Sequence, residues 1–215
     1  MAGSGQMCRA CLADLPWHTQ PQCPQCATPT PLGQTCGACL KRPPAFDRTI
    51  AALGYAFPLD QLIPHLKYRG RLAIAPALGE CLTKAVEHAP RPDRLIAMPL
   101  HPVRIRERGF NHASEIARVL SRRLEVALDG GSCLRTRDTP PQMALKYDAR
   151  RRNVRGAFRC SGDVRGLHIA LVDDVMTTGT SLDELAATLK QAGAREVTCW
   201  VAARTLPPGD TQGSR

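Results

Sequence analysis

The amino-acid sequence predicts an α/β domain with a mainly parallel sheet, preceded by a small cysteine-rich module. From residue 94 onward, short apolar runs typical of buried strands alternate with amphipathic helical segments. Upstream, six of the ten cysteines form three Cys-x-x-Cys pairs within the first 39 residues, where large apolar residues are scarce. A hydrophobic fraction of 43% in 215 residues is enough for one sizeable core.

Composition and charge exclude several classes of protein. No apolar run approaches the roughly 18 residues of a membrane span, and the first 17 residues lack the apolar core of a secretory signal. We therefore expect a soluble, cytoplasmic, folded protein with no membrane insertion. The net charge of +10 is concentrated in the middle, because residues 61–160 carry 20 basic and 9 acidic side chains. Such a field attracts polyanions, whether nucleic acids or phosphorylated small molecules.

The cysteine pairs predict a structural zinc site. A Cys-x-x-Cys turn points two thiolates at one position, and two such turns complete a tetrahedron around zinc. Metal binding can supply about 10–16 kcal/mol of folding free energy to a segment with too few apolar residues for a core. A disulfide framework or a redox pair is disfavoured, since the chain has no export signal and no thioredoxin-like pattern. The best-spaced ligands are Cys23, Cys26, Cys36 and Cys39.

The remaining pair, Cys8 and Cys11, either substitutes for one of these pairs or stays free.

The prolines of the segment 41–44 impose a stiff extended step, so we place a domain boundary there. The predicted units are a zinc ribbon over 1–44, an α/β domain over 45–205 and a flexible tail over 206–215.

The elements of the α/β domain follow from hydrophobic periodicity. A strand over 49–57 and helices over 59–68 and 72–86 come first, and we interpret them as a supporting cap without a part in the site. A strand over 95–98 and a helix over 113–128 follow. The pattern then predicts a buried strand from residue 168 to two acids, a helix from residue 182, and a last strand over 197–201.

The segment 168–182 carries the chemistry. Its strand ends in Asp173 and Asp174, and five small residues follow before the helix: Thr177, Thr178, Gly179, Thr180 and Ser181. Open α/β sheets bind ligands at the carboxyl ends of their strands. A glycine that permits close backbone approach, together with hydroxyls and a helix amino end, favours a phosphate. Ser181 and Glu184 also fit a capping box at the helix start.

The two acids would repel that phosphate and suit vicinal hydroxyls or a divalent cation instead. A phosphate beside a diol describes a ribose 5-phosphate. The alternative is a capped helix after an acidic turn, which accounts for one or two polar residues but not for two acids and five consecutive small residues that suit a phosphate.

Residues 171–181, Leu-Val-Asp-Asp-Val-Met-Thr-Thr-Gly-Thr-Ser, resemble the phosphoribosyl pyrophosphate (PRPP) signature of type I phosphoribosyltransferases, in the form found in the ComF family of competence-associated proteins. Segments 98–112, 135–142 and 151–158 resemble further blocks of that family, and the cysteine pairs resemble its zinc ribbon. Members with a double ribbon carry four pairs, so the first ribbon of this chain looks truncated. His112 stands where the family usually has glutamine, and we interpret it as a surface or helix-start residue.

The resemblance implies the type I phosphoribosyltransferase fold and a site for PRPP with magnesium. The implied catalytic residues, Asp173 and Asp174, would hold the ribose hydroxyls directly or through magnesium. The 5-phosphate would lie on the loop formed by Val175, Met176, Thr177, Thr178, Gly179, Thr180 and Ser181. A hood over 135–153 would close on PRPP. The implied pyrophosphate and hood residues are Pro99, Leu100, His101, Arg104, Arg108, Arg135 and Gln142.

The implied function is a phosphoribosyltransferase with an unknown acceptor, linked to DNA uptake in natural transformation. The alternative is a non-catalytic, PRPP-responsive adaptor that binds single-stranded DNA or competence-machinery proteins such as a DNA-translocating helicase. The basic middle region favours a polyanion. An aromatic content of 4% leaves few side chains for a single-strand stacking platform.

Overall fold

A computed structural model describes residues 7–138 and 154–205. Its main sheet has five parallel strands in the order β1-β7-β6-β2-β3. These strands are β1 (Arg48–Gly54), β2 (Arg94–Ala97), β3 (Leu128–Asp129), β6 (His168–Met176) and β7 (Glu196–Arg204). A separate antiparallel hairpin consists of β4 (Cys133–Arg135) and β5 (Phe158–Cys160). The predicted parallel α/β sheet is therefore confirmed.

Helices cover both faces of the main sheet. The helices of the described residues are α1 (Arg9–Ala13) and α2 (Gly37–Lys41) in the cysteine-rich module, and α3 (Leu59–Arg69), α4 (Ile74–Ala85), α5 (Pro102–Arg108), α6 (His112–Leu124) and α7 (Thr180–Gln191) in the α/β domain. One buried cluster joins α3, α4 and α6 to the sheet, with Trp200 among its largest side chains. A second cluster joins α7 to the opposite face through Leu185 and Leu189. Burial on both faces explains why the central strands read as continuous apolar runs.

Several predicted boundaries differ from the structure: the strand predicted over 49–57 ends at Gly54, the last strand predicted over 197–201 extends to Arg204, and the helix predicted from residue 182 begins at Thr180. Two further differences have a clear physical reason. The helix predicted over 113–128 ends at Leu124, because Glu125 adopts a left-handed backbone conformation with φ 53°. The strand predicted to end at the two acids continues to Met176, since Val175 and Met176 stay in register with Ala203 and Arg204 of β7. Both acids therefore lie within a strand rather than in a turn.

The cysteine-rich module packs along β1, at the edge of the sheet. Trp17 forms an antiparallel bridge with Leu53, and the Thr49 N–H donates to the Pro24 carbonyl at 3.1 Å. The module thus covers an edge that would otherwise expose unpaired backbone groups. In the described part of the chain, every helix is too short or too polar to cross a membrane. The predicted tail over 206–215 and hood residues 139–153 lie outside the described residues.

Candidate functional site

The loop between β6 and α7 leads to a helix amino end that has no side-chain cap. Val175 and Met176 are the last residues of β6, and Thr180 and Ser181 are the first of α7. Gly179 is the N-cap residue with φ 75°, a conformation that favours glycine. Because glycine has no capping side chain, the first-turn N–H groups are left for an external acceptor. This arrangement suits an anion at the helix amino end.

Hydroxyl groups line the same loop. The Thr178 and Thr180 hydroxyl oxygens lie 2.5 Å apart. The predicted capping box is wrong, because Ser181 lies inside α7 and the Glu184 carboxylate accepts the Gly156 N–H at 2.6 Å. Glu184 thereby ties the start of the helix to the segment that precedes β5.

The two acids are held differently. The Asp173 carboxylate accepts the Asp174 N–H at 2.9 Å, and the Asp174 carboxylate accepts the Val175 N–H at 2.8 Å. Asp173 is partly exposed, whereas Asp174 is 1% exposed. The second Asp174 oxygen lies 2.8 Å from Lys67 Nζ. Asp173 is therefore the acid that a ligand can reach, and Asp174 is the acid that the protein itself neutralises.

Lys67 was missed by sequence reasoning, and the interpretation of α3 as a mere support is wrong. This helix buries Leu59, Ile63 and Leu66 against the core. Lys67 follows Ile63 by four positions, which places it on the same helical face. A lysine on an otherwise buried face needs a buried partner. That position was the available signal.

His112 lies in the acid site rather than on the surface. It is the first residue of α6 and is 4% exposed, and its Nε2 is 3.6 Å from the Asp174 carboxylate. Arg108 lies 3.4 Å from His112 Nδ1. Because a guanidinium only donates, Nδ1 accepts this hydrogen bond and Nε2 carries the proton that faces Asp174. The surface interpretation of His112 is therefore wrong, although it does begin a helix.

Burial and charge set the protonation of this cluster. Burial, strengthened by the neighbouring Asp174 charge, raises the pKa of Asp173 to about 8. Burial also acts on Asp174, but Lys67 and His112 outweigh it and lower its pKa to about 2. Burial lowers the pKa of His112 to about 4, so the imidazole is neutral at pH 7. The two acids then share about one negative charge, which the Lys67 ammonium balances.

The oxygen and nitrogen ligand atoms of this cluster are close enough for one ion. One ligand atom each from His112, Asp173 and Asp174 lies within 4.8 Å of the others. Carboxylates are the donors that Mg²⁺ prefers, and Mg²⁺ is commonly held by only one or two of them together with substrate oxygens. The residues present therefore fit a magnesium ion that arrives with a phosphorylated substrate.

The basic residues predicted for the pyrophosphate occupy two different environments. The Arg108 guanidinium lies 5.1 Å from the centre of the Tyr68 ring and contacts His112, so it belongs to the acid cluster. Arg104 is held by Glu107 at 2.9 Å and Asp138 at 3.4 Å. Pro99, Leu100 and His101 connect β2 to α5, and His101 caps that helix through the Val103 N–H.

The hood is described only in part. The Arg135 guanidinium lies 5.6 Å from the centre of the Phe158 ring in the β4–β5 hairpin. Burial lowers the Arg135 pKa, and the charge of Asp173 opposes this change. Arg135 is thus electrostatically coupled to the reachable acid. Gln142 lies outside the described residues.

The four best-spaced cysteines form one cluster. One sulfur atom from each lies within 4.8 Å of the others, and Cys26 Sγ is 3.6 Å from Cys36 Sγ. A tetrahedral site with zinc–sulfur bonds of about 2.3 Å requires sulfur separations of about 3.8 Å. Burial raises the pKa of the Cys26 thiol, but hydrogen bonds with Thr28 outweigh it and lower the pKa to about 7. The cluster of Cys23, Cys26, Cys36 and Cys39 therefore fits a zinc ion.

Arg204 connects the cysteine cluster to the β6–α7 loop. This side chain is 8% exposed and extends from the end of β7. It donates to the Cys26 carbonyl at 2.8 Å and to the Thr28 hydroxyl at 3.1 Å. It also donates to the Met176 carbonyl at 2.9 Å and to the Thr177 carbonyl. Sequence reasoning missed Arg204, whose only local signal is a charge at the end of an apolar strand.

Known proteins and protein families match both the cysteine-rich module and the α/β domain. A double zinc ribbon domain matches residues 1–40, and a phosphoribosyl transferase domain matches residues 103–208. The "DNA utilization protein YhgH" of Escherichia coli O157:H7 is 42% identical over 191 residues, covering 86% of this chain and 84% of that protein. "Competence protein F" of Haemophilus influenzae is 31% identical over 208 residues, covering 92% and 90%.

A glutamine PRPP amidotransferase structure from B. subtilis aligns with a TM-score of 0.42 and 20% identity, over 60% of this chain and 26% of that chain. The extent of identity to YhgH and competence protein F decides the assignment. This chain belongs to the ComF/YhgH family, with a type I phosphoribosyltransferase fold behind an amino-terminal double zinc ribbon domain.

Proposed function

We propose that this protein binds PRPP with magnesium at the β6–α7 loop and acts as a phosphoribosyltransferase linked to DNA uptake. One observation carries the proposal: a partly exposed acid, Asp173, lies near the end of β6, and the short loop after β6 leads to an uncapped helix start at Gly179. An acid and an anion-binding helix terminus side by side match a ribose diol and its 5-phosphate. The names of the relatives, which refer to competence and to DNA utilization, support the cellular role.

The residues divide the work of such a transfer. Breaking the bond between C1 and pyrophosphate leaves a cationic ribosyl centre and an anionic leaving group, so electrostatic stabilisation dominates. Bound magnesium would neutralise charge on the pyrophosphate. Asp173 would accept hydrogen bonds from ribose hydroxyls, and the Thr178 and Thr180 hydroxyls would donate to the 5-phosphate. Arg108, held beside the acids, would stabilise the departing pyrophosphate.

A calorimetric titration of PRPP with magnesium tests the site. We expect the wild type to bind, and Asp173→Asn and Asp174→Asn to bind at least 10-fold more weakly, which corresponds to about 1.4 kcal/mol. Asp173→Asn is the cleaner variant, because an amide carries the same charge as the protonated acid that burial favours at pH 7. Its folding should therefore be unaffected.

The matched control is Asp163→Asn. The Asp163 carboxylate is exposed and accepts hydrogen bonds from the neighbouring Arg165, and the Asp163 backbone carbonyl, which the variant keeps, accepts from Arg94. This variant should bind PRPP like the wild type. Equal binding by the wild type and both site variants would contradict the assignment, as would an absence of binding by the wild type.

A second candidate, binding of single-stranded DNA, is supported by the basic helix α5. Three arginines, Arg104, Arg106 and Arg108, occur in its seven residues, next to the acid cluster. In a fluorescence-anisotropy titration with a labelled oligonucleotide, we expect affinity to fall steeply with salt. Arg106→Ala should reduce the slope of log affinity against log salt by about 1, and Arg165→Ala should not. Competition by PRPP would indicate a shared basic groove, whereas no binding would favour a small-molecule enzyme.

A further inference from the structure

Two of the three cysteine pairs share a sequence and a shape. Cys8-Arg-Ala-Cys-Leu12 and Cys36-Gly-Ala-Cys-Leu40 follow the same pattern, Cys-x-Ala-Cys-Leu. In each, the first cysteine is the N-cap of a five-residue helix. The backbone angles are φ −65°, ψ 161° at Cys8 and φ −71°, ψ 157° at Cys36. The two segments are therefore two copies of one turn.

The second copy shows what this turn does. Cys36 and Cys39 supply half of the four-sulfur cluster. In the first copy the N–H of the second cysteine donates to the sulfur of the first, at 3.4 Å from Cys11 N to Cys8 Sγ. Such N–H donors stabilise negative charge on sulfur, the form that binds a metal. Cys8 and Cys11 thus have the geometry of a ligand pair.

The ligands that would complete this pair are not in the described part of the chain. The groups of three or more close metal-ligating side chains within residues 7–138 and 154–205 include neither Cys8 nor Cys11. The segments 1–6, 139–153 and 206–215 contain no cysteine or histidine. Both thiols are exposed, so they can meet another chain.

We propose that Cys8 and Cys11 form half of a second zinc site, which the same two cysteines of a second copy of this chain complete. Two thiolates are half of the tetrahedral set that structural zinc requires. A second copy of the chain, related to the first by a two-fold axis through the ion, supplies the other half with its own pair of thiolates. Such isologous contacts are the commonest way in which identical chains associate. The dimer would then be held by zinc.

The test measures zinc content and molecular mass on the full chain under a non-thiol reductant, which keeps all cysteines reduced. Purified wild type with added zinc is expected to be a dimer with about 1.5 zinc ions per chain, one bridging ion and one ion in each four-sulfur cluster. Cys8→Ser/Cys11→Ser is expected to be a monomer with one zinc ion per chain. Cys160→Ser, which removes a thiol outside both copies of the turn, should behave like the wild type.

Limited chelation provides a second measurement. The exposed bridging ion should be lost before the half-buried cluster, and mass should halve at the stage when a third of the zinc has been removed. Added zinc should restore the dimer, and added magnesium should not. A monomeric wild type with one zinc ion per chain would overturn the proposal. So would two ions per monomer, or a dimer that persists in Cys8→Ser/Cys11→Ser.

Discussion

Replacement of Lys67 by methionine is expected to lower the free energy of unfolding by about 3–5 kcal/mol at pH 7. The Lys67 ammonium is 2.8 Å from an Asp174 carboxylate whose side chain is 2% exposed. Methionine fills a similar volume but leaves that carboxylate buried without its cation. His112 is neutral and cannot replace the lost charge, because burial holds its pKa near 4. Urea unfolding monitored by circular dichroism measures the difference.

The effect should depend on pH. In the wild type, the lowered Asp174 pKa of about 2 gives a stabilisation that is complete above the unfolded value near 4 and is lost as pH falls toward 2. In Lys67→Met, burial would instead raise the Asp174 pKa, which destabilises the folded state above pH 4 and has no effect once both states are protonated. The difference between the two proteins should therefore be smaller at pH 4 than at pH 7.

Lys190→Met is the matched control. Lys190 Nζ is 2.6 Å from Asp47, but the Asp47 side chain is 43% exposed, so loss of this pair should cost less than about 1 kcal/mol. The double variant Lys67→Met/Asp174→Asn should recover part of the lost stability, because it removes the unpaired charge. Equal effects of Lys67→Met and Lys190→Met would show that the internal ion pair contributes no more than a surface pair.

Replacement of Arg204 by methionine is expected to lower the free energy of unfolding by about 3–5 kcal/mol as well, in the same urea unfolding experiment. Its guanidinium donates to carbonyls of the cysteine-rich module and of β6, including those of Cys26 and Met176. Each buried acceptor left without a donor costs about 1–3 kcal/mol. The stability of Arg204→Lys should lie between that of the wild type and that of Arg204→Met, because the single ammonium of lysine cannot reach all the acceptors that the planar guanidinium reaches. Arg165→Met, at a side chain that is 80% exposed, should leave stability unchanged.

The same variant should also weaken metal retention. Since Arg204 fixes the Cys26 backbone, Arg204→Met should release zinc faster to a colorimetric chelator than the wild type does. It should also weaken PRPP binding, because the Met176 and Thr177 carbonyls belong to the segment proposed to hold the 5-phosphate. A variant with wild-type zinc release and wild-type PRPP affinity would show that the two regions are independent.

Local patterns predicted what local interactions determine. The loop between β6 and α7 could be selected as a candidate site because its acids, glycine and hydroxyls lie close together in sequence. The four-cysteine cluster was recognisable for the same reason, since its two turns lie near each other in the chain. The parallel sheet followed from apolar runs whose meaning depends only on burial of both faces.

The parts that sequence did not provide depend on distant contacts. Lys67 contacts Asp174 only because the tertiary fold brings α3 to this acid, and no local pattern encodes that pairing. His112 is buried because Asp174 and Arg108 surround it, so a helix-start position gave no indication of its role. The capping box failed because a backbone N–H from Gly156 takes up the Glu184 carboxylate.

The order of strands in the sheet has a consequence for synthesis on the ribosome. The cysteine cluster closes over short distances, with Cys26 and Cys36 only 10 residues apart, so it can form as soon as that segment emerges. In contrast, β1 pairs with β7, and the bond from Val197 N to Asp47 spans 150 residues. The nascent chain must hold β1 as an open edge until its partner strand is made, a state prone to pairing with other chains. The exposed edge of β1 is therefore paired only when β7 has been completed, and not when the cysteine-rich module has formed.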